Sequence, residues 1–93
     1  MYRVLKSVYQ DLDGFETKTV DVDEIEAVEF KFNNLGEDGE IESISYGLTV
    51  EQQGEDGNTY FLSPVHSTYS VDDKNGEDRA KSTVKTLFLM NHG

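Results

Sequence analysis

The sequence predicts an all-β protein, or a mainly β one with a short helical turn: an antiparallel up-and-down meander of about five long strands that curls into a half-barrel or small barrel. Two observations carry this expectation. Apolar residues recur at every second position through most of the chain, which is the period of a strand with one buried face. Four Asx-Gly dipeptides, Asp13-Gly14, Asp38-Gly39, Asp56-Gly57 and Asn75-Gly76, separate the alternating segments. Both residue types tolerate the positive φ that tight hairpin turns require.

The first strand is expected over about 2–10 and the second over about 15–32. In the second, Val20 and Val22 share a parity with Val28, Phe30 and Phe32, while Asp23 to Ala27 breaks the alternation. Asp23 with Glu26 three residues later would suit one capped helical turn, but the flanking pattern favours a kink in a continuous strand. The third strand, about 40–52, is the clearest. Ile44, Tyr46, Leu48 and Val50 point one way and Ser43, Ser45, Gly47 and Thr49 the other, so the strand reads as half-buried.

The fourth strand spans about 58–72. Its inward set changes from Tyr60 and Leu62 to Val65, Ser67, Tyr69 and Val71, and this flip of parity across Ser63-Pro64 predicts a bulge on or near an edge strand. Two patterns compete in the last segment, 78–90. Ala80, Val84 and Leu87 have helical spacing, whereas Val84, Thr86, Phe88 and Met90 alternate; the β-rich run Thr83, Val84, Thr86 and Phe88 favours a strand after a hairpin at Asn75-Gly76. That hairpin would bring Asp72 and Asp73 beside Arg79 and Lys81. The tetrapeptide Gly-Glu-Asp-Gly occurs at two of the turns, Gly36 to Gly39 and Gly54 to Gly57.

Ninety-three residues make one acidic β domain, 1–93, and folding at this size removes only roughly 60–65% of the unfolded chain's surface from water. The core must be thin. With no cysteine, neither a disulfide framework nor a thiolate metal site supports it. Five Phe and five Tyr among regularly alternating aliphatics argue for a folded chain in spite of the acidity. The opening residues lack an apolar signal-peptide core, and no run reaches bilayer length, so a cytoplasmic setting is expected, the host cytoplasm if the protein is viral.

Nineteen acids against eight bases give a net charge of -11, which repels nucleic acid and anionic lipid and attracts basic protein surfaces. The excess is segregated. Between Gln10 and Gly57 fifteen acids face only Lys18 and Lys31, a net -13, whereas four acids and six bases elsewhere sum to +2. The residues expected to meet a partner are Asp11, Asp13, Asp21, Asp23, Glu24, Glu26, Glu29, Glu40 and Glu42. On a strand, Asp21 with Asp23 and Glu40 with Glu42 would form rows of carboxylates about 6.5 to 7 Å apart, near the spacing of consecutive phosphates. Exposed tyrosines would add contact area.

No constellation carries catalysis or a cofactor. The segment Asp11-Leu12-Asp13-Gly14 opens like a calcium loop, but Glu16 stands where that loop needs glycine and Val22 where it needs a bidentate acid. His66 and His92 lie 26 residues apart, which is no paired-ligand spacing, and no nucleophile elbow accompanies His66, Ser63 and Ser67. The glycines sit in isolated turns and form no phosphate-binding loop. The expectation is therefore a non-enzyme with no catalytic residue, metal or cofactor.

In size and charge the chain resembles the small acidic inhibitors encoded by phages and mobile elements, including nucleic-acid mimics and anti-CRISPR proteins. That resemblance implies a cytoplasmic inhibitor that occupies the basic surface of a DNA- or RNA-binding protein. The alternative is a small structural or assembly protein, a virion or complex component, that forms homo-oligomers through β-edges. Direct nucleic-acid or membrane binding is disfavoured in both.

Overall fold

A computed structural model describes residues 2–92. It is mainly β, with five antiparallel strands in one open, curled sheet. In chain order the elements are β1 (Arg3–Leu5), α1 (Lys6–Gln10), β2 (Glu16–Val22), β3 (Ile25–Leu35), β4 (Ile41–Gln53), β5 (Thr59–Ser70) and α2 (Gly76–His92). β2 to β5 form an up-and-down meander, and β1 joins the outer side of β5, giving the order β1-β5-β4-β3-β2.

Three segments depart from the expected elements. Most of 2–10 is not strand: β1 is three residues long and α1 follows it at once. The helix carries Tyr9 onto the sheet, where its ring centroid lies 5.1 Å from that of Phe30 and 5.6 Å from that of Phe61.

The expected kinked strand 15–32 is a hairpin. Val22 pairs with Ile25 across a two-residue turn in which Asp23 and Glu24 take φ of 49° and 71°. Such a turn matches the right-handed twist of the flanking strands, and Asx-Gly is merely its commonest sequence. The reversal places Val20 opposite Ala27, so Val28, Phe30 and Phe32 point to the face opposite Val20 and Val22.

The third departure is 78–90, which is helix. Gly76, Ala80, Val84 and Phe88 recur every four residues and are the buried positions of α2, and this stripe outweighs the β propensity of Thr83, Val84 and Thr86. Asn75-Gly76 therefore opens a helix. A Cβ at position 76 would stand 2.8 Å from the Cβ of Tyr69, so glycine lets the helix start close against β5. Asp13-Gly14 likewise joins α1 to β2 and closes no hairpin.

The two Gly-Glu-Asp-Gly turns do close hairpins, and they do so in the same way. Gly36 N–H donates to Glu40 O at 2.8 Å and Gly39 N–H to Gly36 O at 3.0 Å; Gly54 N–H donates to Asn58 O at 2.7 Å and Gly57 N–H to Gly54 O at 3.2 Å. Asp38 and Asp56 each accept the backbone N–H two residues on at 3.0 Å. Each is a three-residue loop ending on a glycine with positive φ, 79° at Gly39 and 84° at Gly57.

The bulge at Ser63-Pro64 forms as expected. Leu48 pairs with Val65 and Val50 with Leu62, so two residues of β5 oppose Thr49 alone. Ser63 takes φ of 46°, and the buried Thr49 hydroxyl donates to Leu62 O at 2.9 Å. Because β1 reaches only Leu62, the outer side of β5 beyond the bulge has no strand partner among the described residues.

Both faces of the sheet centre are covered. α2 lays Ala80, Val84 and Phe88 on Val22, Ala27, Tyr46 and Leu48. On the other face Tyr9, Phe30, Phe32 and Phe61 make an aromatic cluster, with Phe30 and Phe61 wholly buried. β4 is accordingly buried on both sides from Ser45 to Thr49, more deeply than its one-sided alternation predicts. The small polar residues of the second side, Ser45 and Thr68, share a hydrogen bond at 2.8 Å.

Candidate functional site

The hairpins distribute eight of the nine expected partner-binding acids between the two ends of the sheet, and the ninth, Glu29, lies midway along β3 opposite Lys18 and Leu48. Asp21 and Glu26 are directly opposed on β2 and β3, with Asp23 and Glu24 in the turn beyond them. At the other end are Glu40 and Glu42, after the β3–β4 turn, and Asp11 and Asp13, before β2. Asn33 ties Asp13 to the end of β3: its backbone N–H donates to Asp13 O at 2.7 Å and its amide to Asp13 Oδ2 at 3.1 Å. β3 runs between the two groups, and its ten steps of about 3.4 Å separate them by about 34 Å.

All of these acids are exposed except Glu29, which is half-buried. Glu29 accepts a hydrogen bond of 2.8 Å from the Tyr46 hydroxyl, so it serves the interior. Burial first, and this bond second, push the Tyr46 hydroxyl far above its ordinary value of 10.0. The expected carboxylate rows do not form. Asp23 sits in a turn with positive φ, and Glu40 lies in the loop before β4 begins at Ile41, so neither pair follows the strand repeat.

What the fold does leave is a surface with few internal counter-charges. Of the fifteen acids between Gln10 and Gly57, Asp23 and Glu51 are the two with a Lys or Arg nitrogen within 4.0 Å among the described residues, Lys85 at 4.0 Å and Lys6 at 3.0 Å. The other ion pairs involve acids of the C-terminal part. Lys31 and Lys81 converge on Glu77 at 3.6 and 3.4 Å, and Arg79 pairs with Asp73. Lys31, and next Lys81, hold the Glu77 carboxyl below its usual value, as Arg79 does that of Asp73. Arg3 is engaged elsewhere, over the ring of Tyr60 at 4.3 Å.

A shallow depression opens at the Glu40 and Glu42 end. It is lined by Glu37, Asp38, Glu40, Glu42 and Asp72, with Ile41 and Val71 between them and no Lys, Arg or His. Two carboxylates converge beside Gly36: Asp38 Oδ1 and Glu42 Oε2 each lie 3.2 Å from where a Cβ at that position would stand. Val71 N–H donates to Glu42 O at 3.3 Å and holds the β5 terminus against β4. Ile41 pairs with Leu35 across the bulged end of β3 and β4.

Glu37, Asp38 and Asp72 are not among the acids expected to meet a partner, and Val71 is expected to point inward. Val71 is exposed in the segment between the end of β5 at Ser70 and the start of α2 at Gly76. The available signal was that Leu35 directly precedes a Gly-Glu-Asp-Gly turn and Ile41 follows it after one residue, where a hairpin narrows to its tip and little can cover a side chain.

His66 lies exposed on β5 opposite Gly47, and strand alternation turns its neighbour Ser67 to the other face. Among the described residues, no group of three His, Asp or Glu side chains is arranged to hold a metal ion. Among the described residues, no helix is long and apolar enough to cross a membrane. The chain matches no protein-family model, and neither the curated proteins nor the solved structures compared with it include a similar one.

Proposed function

We propose that this protein is a non-enzymatic binding module whose acidic surface docks on the basic surface of another protein. The observation that carries this reading is the lack of internal compensation: thirteen of the fifteen acids of the Gln10 to Gly57 stretch have no cation within 4.0 Å among the described residues. A surface in this state attracts positive charge, accelerates encounter with it and rejects phosphate-rich ligands. Nucleic-acid-binding proteins are the partner class that best fits, because their grooves concentrate Lys and Arg. Occupying such a groove would inhibit the partner, with carboxylates in the place of phosphates.

The experiment is capture from lysate on immobilised protein, elution by stepped salt and identification by mass spectrometry. Docking through carboxylates predicts partners rich in basic surface that elute as the screening length falls from about 10 Å at 0.1 M salt to about 3 Å at 1 M. Partners that stay bound through 1 M salt contradict it.

One observation favours a second reading, assembly through β-edges. The outer sides of β2 and of β5 beyond the bulge at Ser63-Pro64 have no strand partner among the described residues. Unpaired edges template further strands, although Pro64 and the bulge protect one end of the β5 edge. Oligomers that persist at high salt would support this reading over the first.

A further inference from the structure

We infer that the depression at the β3–β4 turn is the docking point, and that its occupant is a cationic segment with an apolar anchor, contributed by another protein. This rests on reading the acidic surface as one that binds protein. Leu35, Ile41 and Val71 are 49, 43 and 43% exposed at this one end of the sheet. The end at Asp21 to Glu26 is just as acidic, yet its aliphatics are covered: Val22 is buried, Ile25 half-buried, and Lys85 approaches Asp23. Carboxylates alone suffice for solubility. Aliphatic side chains left in water among five carboxylates make instead the apolar centre and polar rim of a binding patch.

Charge complementarity selects the occupant. The depression is lined by Glu37, Asp38, Glu40, Glu42 and Asp72 and by no cation, so nucleic acid and anionic lipid are repelled. A second copy docking the same patch on itself would set these carboxylates against their own equivalents, since a two-fold interface is self-complementary. A segment carrying Lys or Arg beside a Leu- or Ile-sized side chain satisfies both parts, the bases meeting the rim and the anchor covering Ile41 and Val71.

The test uses two fluorescent peptides of equal length and charge, one alternating Lys with Leu and one alternating Lys with Ser, titrated into the full chain with amide shifts followed by NMR. The Lys-Leu peptide is expected to bind at least about tenfold more tightly, with shifts concentrated in 36–42 and 70–72. Ile41→Ser with Val71→Ser should reduce its affinity to about that of the Lys-Ser peptide. Asp21→Asn with Asp23→Asn, Glu24→Gln and Glu26→Gln should change it less than about threefold, since rim charges remote from an anchor contribute little. Equal affinity for the two peptides, or shifts centred on 21–26, would overturn this assignment and leave general charge docking standing. Failure of both peptides to bind at low salt would overturn both.

Discussion

Phe30 and Gly47 face each other across β3 and β4, and the Phe30 ring fills the space where a side chain at position 47 would stand. A Cβ there would lie 2.2 Å from Phe30 Cζ and 2.6 Å from Val65 O, and the second of these is backbone that cannot swing aside. Gly47→Ala is therefore expected to lower stability by about 2–3 kcal/mol, as overpacking does, and Phe30→Ala by about 3–5 kcal/mol. Urea denaturation checks both. A Gly47→Ala midpoint equal to that of the wild type would show that the ring does not occupy this space.

The β2–β3 hairpin holds two non-glycine residues in the left-handed region, Asp23 at φ 49° and Glu24 at 71°. Asn and Gly reach that conformation at lower cost. Asp23→Asn with Glu24→Gly should raise stability by about 1 kcal/mol and the melting temperature by roughly 4–8 °C. If 15–32 were one kinked strand instead, adding glycine would destabilise it.

The Tyr46 hydroxyl donates to Glu29, and its proton is held far more tightly than that of a free phenol because burial, and then this bond, disfavour the phenolate. The sign follows directly: the contribution is complete below the unfolded value near 10 and is lost as pH rises through the higher folded value. Wild-type stability should thus fall above about pH 10 more steeply than that of Tyr46→Phe. The variant should cost about 1 kcal/mol at pH 7 by leaving Glu29 without its donor. Urea midpoints from pH 7 to 11 decide it; parallel curves would remove Tyr46 from the alkaline response.

Much of the fold is legible in the chain because its causes are local. Alternation from Ile44 to Val50 specifies β4, the repeated Gly-Glu-Asp-Gly specifies two identical turns, and the parity flip at Ser63-Pro64 specifies the bulge. The rest depends on what lies across the core. Val84 and Phe88 read equally as strand or helix until Gly76 and Ala80 are seen to continue their four-residue stripe. Asp23-Glu24 lacks the glycine that announces a two-residue turn, so the chain reversal is invisible in composition. The acidic residues were legible as a set, but their division between the ends of the sheet, and the exposure of Val71 beside Glu42, follow only from where the hairpin turns and helix start fall.

The central claim, that uncompensated carboxylates dock this protein on a basic partner, is tested most directly by the association rate of a partner recovered by salt-stepped capture. That rate should be measured for the wild type and for Glu40→Gln with Glu42→Gln, between 50 and 500 mM salt. Steering by the acidic surface predicts a wild-type rate that drops by about tenfold or more across this range, a variant that starts slower and depends less on salt, and dissociation rates that change little. Association that is as fast at 500 mM as at 50 mM, and the same in both proteins, would contradict electrostatic docking and turn attention to the open β-edges.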